Sequence, residues 1–426
     1  MRLSKTPHAA TRGTPRISDD ALLDLVQRRS FAFFWEGAEP ASGLARDRTG
    51  TIADVAGDLV ATGGSGFGIM AIVVAVERGW VTREDAVLRL DTMLDRLENT
   101  VRYHGVYPHF FQGSTGATIP FSSNDDGADL VETSFLLQGL LTARAYFSRA
   151  TKSEARLRDR VTRLWHETDW SWHTREGGDV LLWHWSPNSG WSMNHEIRGW
   201  NECLITYVLA AASPTHPIDP SVYHRGWAAS VEMTNGNAYY GIELPLGPPK
   251  GGPLFFAHYS FCGLDPRGLA DRYADYFVQN TRHTLINYEH CVENPLGHKG
   301  YGPACWGLTA SDEPGGYSAH SPTNDTGVIT PTAALSSFPY APDQAMAALR
   351  HFHDELGDRI WGRFGFSDAF SLEHEWYAQT YLAIDQGPIV VMIENHRSGL
   401  LWELFMGIPE IRAGLDRLGF RPASIA

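Results

Sequence analysis

The sequence has few charged residues, few cysteines and no long hydrophobic run. Charged residues make up 20% of the 426 positions and hydrophobic residues 43%, a composition that excludes a disordered chain or a coiled coil and permits a large buried core. The longest apolar run, residues 67–76, is about half of the ~20 residues that a transmembrane helix needs. We therefore expect a globular protein without membrane-spanning segments.

The scarcity of cysteine limits the kinds of site that the chain can hold. Its four cysteines are widely spaced and form no CxxC pair, which excludes a disulfide scaffold and disfavours a zinc site. We expect buried free thiols, no bound metal and no cofactor. The first twenty residues also lack the hydrophobic segment of a signal peptide. As the sequence stands, this favours a cytoplasmic protein, whereas a periplasmic or secreted location would require a leader that has been removed.

Positive charge is also in deficit. Lysine and arginine together number 35 against 49 aspartates and glutamates, which gives a formal net charge of −14. A surplus of negative charge repels phosphate backbones and anionic lipids, so nucleic acids and membrane surfaces are poor partners. The sequence does not indicate an oligomeric state.

Helical signals recur along most of the chain, whereas strand-like alternation is scarce. Residues 1–17 have no apolar periodicity and predict a flexible tail, and residues 18–426 predict one domain because no linker divides them. The short strand candidates are 180–185 and 239–244. The predicted helices are 19–35, 65–79, 83–98, 130–146, 153–166, 203–212, 266–279, 342–356 and 388–405. This pattern indicates a mainly α-helical protein with long loops rich in glycine and proline.

Several familiar motifs fail on spacing. The glycine-rich segment 63–68 misses the dinucleotide fingerprint because Ile69 stands where the last glycine belongs, and we interpret it as a tight turn at a helix start. His195 and Glu196 are not followed by a second histidine at zincin spacing. The segment 124–127 lacks the alternating ligands of a calcium loop. These failures exclude a nucleotide-binding loop, a zincin centre and an EF-hand.

The first group of acids that attracts attention precedes and enters a strongly apolar helical segment. Apolar residues surround nearly the whole predicted helix 130–146, so Glu132 should be buried. Asp125 lies seven residues earlier, on the same face if the helix extends that far. Buried acids must be paired or line a cavity. The structural alternative is that Asp125 or Asp126 caps the helix and Glu132 is a paired core acid.

The second group combines tryptophans with one glutamate: Trp183, Trp185, Trp191, Trp200 and Glu202. Indole rings can stack on the faces of sugar rings, although their commonest use is core filling. Glu202 opens a predicted apolar helix. The helix terminus favours the charged form of Glu202, whereas a dry aromatic site favours the protonated form. The sequence does not decide between these two forms, and Glu202 could also serve only as a helix cap.

The third group is the segment 381–388. Asp385 stands in a predicted loop just before Pro388, which should begin a helix. An aspartate at a helix entry is usually a cap, so the residues alone favour a structural role for Asp385.

Together these motifs resemble the endo-β-1,2-glucanases of glycoside hydrolase family 144. The resemblance is carried by the segments 61–80, 125–132, 183–188, 199–202 and 385–388, and it covers about residues 20–420. It implies an all-α (α/α)6 barrel of paired helices with few short strands and a cleft for linear β-1,2-glucan. It also implies endo-acting, inverting hydrolysis to short sophoro-oligosaccharides.

The resemblance assigns roles by position. Glu202 matches the general acid and Asp385 the general base, and an inverting glycosidase needs such a pair about 6.5–9.5 Å apart. The substrate-binding residues expected on this basis are Asp125, Glu132, Trp183, Trp185 and Tyr381. The alternatives are an exo-acting or transglycosylating enzyme of the same clan, and a non-catalytic glucan-binding protein, which would keep the tryptophans without needing the inward acids.

Overall fold

The computed structural model describes residues 17–51 and 57–422, and these residues are predominantly helical, as predicted. The tail predicted for residues 1–17 therefore lies, except for Ile17, outside the described residues. The α-helices are α1 Asp19–Trp35, α2 Thr62–Glu77, α3 Arg83–Glu98, α4 Leu130–Tyr146, α5 Lys152–His166, α6 Leu204–Ala212, α7 Tyr276–Glu293, α8 Pro331–Leu335, α9 Pro342–Asp354, α10 Gly357–Ile360, α11 Ala383–Arg397, α12 Leu400–Met406 and α13 Pro409–Arg417.

The strands are short and pair locally or pin distant loops together. They are β1 Arg48–Gly50, β2 Leu59–Ala61, β3 Phe110–Gln112, β4 Thr118–Ile119, β5 Ala128–Asp129, β6 His184–Trp185, β7 Ala238–Tyr239, β8 Ile242–Glu243, β9 Leu269–Ala270, β10 Ala310–Glu313, β11 Gly316–Ala319, β12 Trp361–Gly362, β13 Gly365–Phe366, β14 Phe370–Ser371, β15 Trp376–Tyr377, β16 Thr380–Leu382 and β17 Arg421–Pro422. The pairs β1–β16, β5–β6 and β9–β17 join distant parts of the chain, all antiparallel. The other pairs are β2–β3–β4, β7–β8, β10–β11, β12–β13 and β14–β15.

The helices differ in how completely they are buried. Helices α2 and α4 are buried on all sides over most of their length, whereas α3 and α5 bury one face and expose the other. Helix α2 packs against α1, α4 and α11, and α6 packs against α4 and α13. The apolar helices therefore form an inner layer with amphipathic helices outside it, as expected from the hydrophobic pattern.

Glycine allows the close contact between α2 and α4. A Cβ atom on Gly66 would lie 2.0 Å from the carbonyl oxygen of Phe135, and one on Gly139 would lie 2.1 Å from the carbonyl oxygen of Gly66. The prediction of a tight turn at 63–68 is therefore wrong: α2 begins at Thr62, and the glycines lie inside the helix. Their role is close packing of two helix backbones.

Replacing Gly66 by alanine should destabilise the protein, because the atoms that the new methyl group meets belong to backbone that cannot move aside. Overpacking of this kind costs about 1–3 kcal/mol and sometimes more. The measurement is the thermal unfolding midpoint. The matched control is Gly302→Ala, whose methyl group would meet no atom within 4 Å. Equal midpoints for the two variants would contradict this account of the contact.

Most predicted helix bounds lie within three residues of the observed ones, with two exceptions. The helix predicted at 266–279 is wrong, because α7 begins only at Tyr276, after β9. The helix predicted at 388–405 is two helices, and the first begins at Ala383 with Pro388 inside it. Proline is most frequent in the first helical turn, so its later position here moved the predicted start. As a consequence, Asp385 lies in the first turn of α11 and not in a loop.

Two expectations about the sequence as a whole can be compared with the described residues. Within them, no helix combines the length and apolar character that crossing a bilayer requires. The four cysteines, Cys203, Cys262, Cys291 and Cys305, are buried free thiols, as predicted. Burial raises the pKa of each thiol above its ordinary value, which keeps the thiols protonated.

Candidate active site

The N-terminal ends of three inner helices meet at one end of the fold. The backbone N–H of Gly63, in the first turn of α2, donates a hydrogen bond of 2.7 Å to Oε2 of Glu132, in the first turn of α4. A Cβ atom on Gly64 would lie 2.6 Å from that of Ala383, the first residue of α11. Glu132 and Asp385 therefore project from helix ends that touch the same helix.

A cavity of about 380 Å³ opens at this end. Its polar lining includes Asp47, His109, Glu132 and Tyr317, and Phe110 and Phe121 are among its apolar walls. Burial raises the pKa of Glu132 to about 7, even though the nearby His109 and the hydrogen bond from Gly63 lower it. The structure thus places Glu132 on a cavity wall, one of the two roles that its sequence position predicts.

A second cavity of about 790 Å³ lies beside the segment that contains Glu202. Indole, amide and charged side chains line it, among them His195, Arg198, Trp200, Asn201, Glu232 and Asn235. Such a mixture of flat apolar faces and hydrogen-bonding groups is suited to a ligand with many hydroxyl groups.

Glu202 is half-buried in a turn two residues before α6. The hydroxyl of Ser260 donates a hydrogen bond to its backbone carbonyl and fixes the turn. Burial raises the pKa of Glu202 to about 7, and the charges of Glu132 and Asp129 act in the same direction. Glu202 precedes the helix that it was predicted to open, so the helix terminus does little to lower its pKa. Burial therefore decides the direction of the shift, and the carboxyl group can hold a proton near neutral pH.

Asp129 is the buried centre of a charge network that sequence analysis missed. Its Oδ1 accepts hydrogen bonds from the amides of Val131 and Glu132, which caps α4, and from Nε1 of Trp183 at 3.0 Å. Its Oδ2 lies 2.9 Å from Nδ1 of His109. Although burial opposes it, hydrogen bonds from histidine hold the pKa of Asp129 well below its usual range. Asp129, and neither Asp125 nor Asp126, is therefore the cap.

Asp125 joins this network from a loop. Its carboxyl group is 4% exposed, and its Oδ2 lies 3.3 Å from Nε2 of His184. Its Oδ1 is buried and has no hydrogen-bond partner among the described residues. Burial and the charge of Asp129 raise the pKa of Asp125. The predicted shared helix face does not exist, because α4 begins five residues later, but Asp125 does reach the same region as Glu132 through His109 and Asp129.

His109, Asp125 and Asp129 also offer ligand atoms within 4.8 Å of one another, as a three-ligand metal site would. Although burial lowers it, the charges of Glu132 and Asp129 raise the pKa of His109 to about 9. A metal ligand must be a neutral imidazole, so a metal ion at this place would have to displace a proton from His109.

Asp385 is 2% exposed and lies against a second carboxyl group, that of Asp368. Apart from this contact, neither of its carboxyl oxygens has a hydrogen-bond partner among the described residues. Burial and the charge of Asp368 raise the pKa of Asp385 well above its ordinary value. Its neighbour Ile384 lines the smaller cavity. Asp385 is thus a buried acid, not the helix cap that the residues alone favoured.

Tyr259 lies immediately before the 3-10 turn Ser260–Cys262. Its ring packs against Phe67 of α2 and Phe135 of α4, with centroids 5.3 and 5.6 Å away. Burial raises the pKa of its hydroxyl, and the charges of Asp385, Glu202 and Glu132 all contribute. The charges of the three acids therefore act on one tyrosine, a relation that no local motif reveals.

The predicted aromatic residues have different placements. Trp183 stacks on His195 with ring centroids 4.9 Å apart, and His195 lines the larger cavity. Trp185 packs into an aromatic cluster with Trp172, 5.1 Å between centroids, and lines neither cavity. Tyr381 is 1% exposed and packs on Phe364 in the core. Tyr381 therefore has a packing role in this structure, and its contact with substrate stays a prediction.

This chain is similar to known proteins in family model, in sequence and in structure. The family model described as "Glycoamylase" matches residues 194–409. An endo-β-1,2-glucanase from Chitinophaga pinensis, solved with sophorotriose and glucose, is 50% identical, with 95% of this chain and 99% of that chain covered and a TM-score of 0.93. A β-1,2-glucanase from Parabacteroides distasonis is 45% identical, with 95% and 60% covered and a TM-score of 0.92.

Two further comparisons bear on length and fold. A curated protein of Parabacteroides distasonis, an exo β-1,2-glucooligosaccharide sophorohydrolase acting at the non-reducing end, is 45% identical over 94% of this chain. The chain spans 58% of that protein's length. An endo-β-1,2-glucanase from Talaromyces funiculosus is 14% identical, with 94% of this chain and 92% of that chain covered and a TM-score of 0.62, and is similar in fold.

Proposed function

Because the chain belongs to the β-1,2-glucanases of glycoside hydrolase family 144, we propose that it hydrolyses β-1,2-glucan to short sophoro-oligosaccharides. The observation that carries the proposal is the presence of two acids with raised pKa, Glu202 and Asp385, whose charges act on one buried tyrosine and whose sequence neighbours Asn201 and Ile384 line the two cavities. Acids shifted in this way by burial and by each other are typical of catalytic sites. No metal or cofactor is needed for this chemistry.

In the proposed reaction, Glu202 is the general acid and Asp385 the general base. A water molecule loses a proton to Asp385 while its oxygen bonds to the anomeric carbon. The bond from that carbon to the glycosidic oxygen breaks, and this oxygen takes the proton of Glu202. Attack from the side opposite the leaving group inverts the configuration of the anomeric carbon.

The remaining polar residues would hold the sugars. We assign Asp125 and Glu132 to sugar hydroxyls, because each lies in the charge network at the wall of the smaller cavity. We assign Trp183 to the larger cavity through its stacking partner His195. A glucan that crosses from one cavity to the other would pass Glu202, which follows Asn201 on the wall of the larger one.

We also propose that the inner and outer helices close into an (α/α)6 barrel that forms one domain. The packing of α2 against α4 and α11, and of α4 against α6, supports a ring of inner helices. A cleft across one end of such a ring suits endo-acting cleavage. The second candidate is exo-acting release of sophorose, which is favoured by the name of the curated relative that the chain matches over 94% of its length.

The time course of products from β-1,2-glucan distinguishes these modes. We expect a ladder of sophoro-oligosaccharides at early times, because an endo-acting enzyme cuts at internal bonds. Sophorose alone from the first minutes would overturn the endo mode in favour of the exo mode, and longer or cyclic chains would indicate transfer. NMR of the first product should show the α-anomer, since a β-linkage is cleaved with inversion; the β-anomer would contradict the mechanism.

A further inference from the structure

The carboxyl group of Asp368 lies within hydrogen-bonding reach of that of Asp385, whose two oxygens are buried and have no other hydrogen-bond partner among the described residues. It lies between β13 and β14, where its backbone N–H donates to the carbonyl of Thr380 at 2.9 Å. Its Oδ2 accepts the backbone N–H of Asp312 at 2.7 Å, and its Oδ1 is buried without another partner. The backbone thus holds Asp368 in place with one oxygen satisfied and the other free for Asp385.

Two buried carboxyl groups in contact cannot both be ionised at low cost. Both are 2% exposed, and Arg48, whose positive charge acts on both, is already engaged with Asp47 and Asp312 at 2.9 Å each. One proton between the two groups removes the repulsion and provides the missing hydrogen bond. Apolar residues of similar size would be more stable at such a place, so a role in the reaction explains the pair better than a role in folding.

We propose that Asp368 is a positioning residue that shares one proton with Asp385 and thereby sets the pH range in which Asp385 accepts a proton from water. Asp385 carries the shared proton and donates it to Asp368, so Asp385 must lose this proton before it can act as a base. The ionised Asp385 then takes the proton of the attacking water and shares it with Asp368. Release of that proton to solvent restores the ionised pair. This inference rests on the proposed role of Asp385 as the general base.

Other ionisable groups face Asp385 from neighbouring elements, and their charges remain in any variant of Asp368. They are Arg48 of β1, Asp312 of β10, Tyr317 of β11 and Tyr259, which precedes the 3-10 turn Ser260–Cys262. Burial raises the pKa of Asp368 to about 7, and the charge of Asp312 also raises it. Replacing Asp368 alone therefore changes one interaction while the rest of the environment is kept.

The test is the pH dependence of kcat/KM for the Asp368→Asn variant on β-1,2-glucan. The asparagine removes a negative charge and supplies an N–H donor to Asp385, so the acid limb of the profile should move to lower pH, by about 1 on the pH scale or more. A purely structural role would lower the rate equally at every pH and leave the limb in place, and that result would overturn the proposal.

A second variant, Asp312→Asn, keeps the proposal testable if Asp368→Asn does not fold. Asp312→Asn removes a charge that raises the pKa of both acids, so its acid limb should move in the same direction by a smaller amount. An unchanged limb in a folded Asp312→Asn protein would also count against the proposal. Full activity of Asp385→Asn would contradict the proposed role of Asp385 as the general base. An inactive Asp385→Asn, together with an unchanged acid limb in Asp368→Asn, would overturn only the inference about Asp368.

Discussion

Replacing Glu202 by glutamine should abolish hydrolysis of β-1,2-glucan while the protein stays folded and binds the glucan. Glutamine has the same shape but carries no proton that it can donate to the leaving oxygen. General acid–base assistance contributes about 10²–10⁴-fold, so the rate should fall by at least that range. The measurements are initial rates of reducing-sugar release and glucan affinity by calorimetry.

The control for this variant is Glu84→Gln, at an exposed position in the first turn of α3. It makes the same chemical change far from the cavities and should keep full activity. Turnover that survives in Glu202→Gln would contradict the assignment of the general acid. Lost activity together with lost glucan affinity would mean that Glu202 binds substrate instead of protonating the leaving group.

Asp385→Asn should be the second inactive variant, and it should differ from Glu202→Gln in stability. Asparagine cannot accept the proton of the attacking water, so hydrolysis should again fall by about 10²–10⁴-fold. The substitution also removes one of two buried acids that repel each other. We therefore expect a folded protein with increased resistance to urea at neutral pH.

Burial raises the pKa of Asp385, and this direction determines how the stability of the wild type depends on pH. In the folded protein the pKa of Asp385 is raised, so the folded state binds more protons than the unfolded state between the ordinary pKa of aspartate and the raised one. The contribution of Asp385 to the free energy of unfolding is then highest below the ordinary pKa of about 3.9 and falls as pH rises through this window. Asp385→Asn lacks this loss, so its stability advantage should increase from pH 4 to pH 8.

Urea unfolding at the two pH values measures the difference, with Asp159→Asn, exposed on α5, as the matched control. A tenfold difference in proton affinity between the folded and unfolded states corresponds to about 1.4 kcal/mol. A stability difference between wild type and Asp385→Asn that does not depend on pH would contradict the raised pKa. Retained hydrolysis would contradict the role of Asp385 as base.

The family and the helical character of the fold were predictable from the sequence, and both predictions are confirmed. Local signals sufficed where a helix begins with its own cap, as at Ser18 and Thr82, whose side chains accept the expected backbone N–H groups. They failed where tertiary contact decides the conformation. The glycines of α2 form a sequence pattern that is typical of a turn. Their actual role is to allow the backbone of α4 to approach Gly66 within contact distance.

The candidate active site also contains some residues that local motifs predict and others that only tertiary contact brings together. Glu132 and Glu202 stand in distinctive motifs, and the structure places both where burial raises the pKa to about 7. Asp129 stands in one of those motifs, but its importance depends on His109 and His184, which come from other segments. Asp368 has no motif around it, because only the folding of β13, β14 and α11 brings it to Asp385. Their catalytic roles stay predictions.

The most direct measurement of the central proposal is the linkage specificity of the purified protein. It should be incubated with β-1,2-glucan, β-1,3-glucan, β-1,4-glucan and starch, with products followed by chromatography and Glu202→Gln as the blank. We expect sophoro-oligosaccharides from β-1,2-glucan and no product from the other three. No product from β-1,2-glucan, or glucose released from starch, would contradict the proposed function.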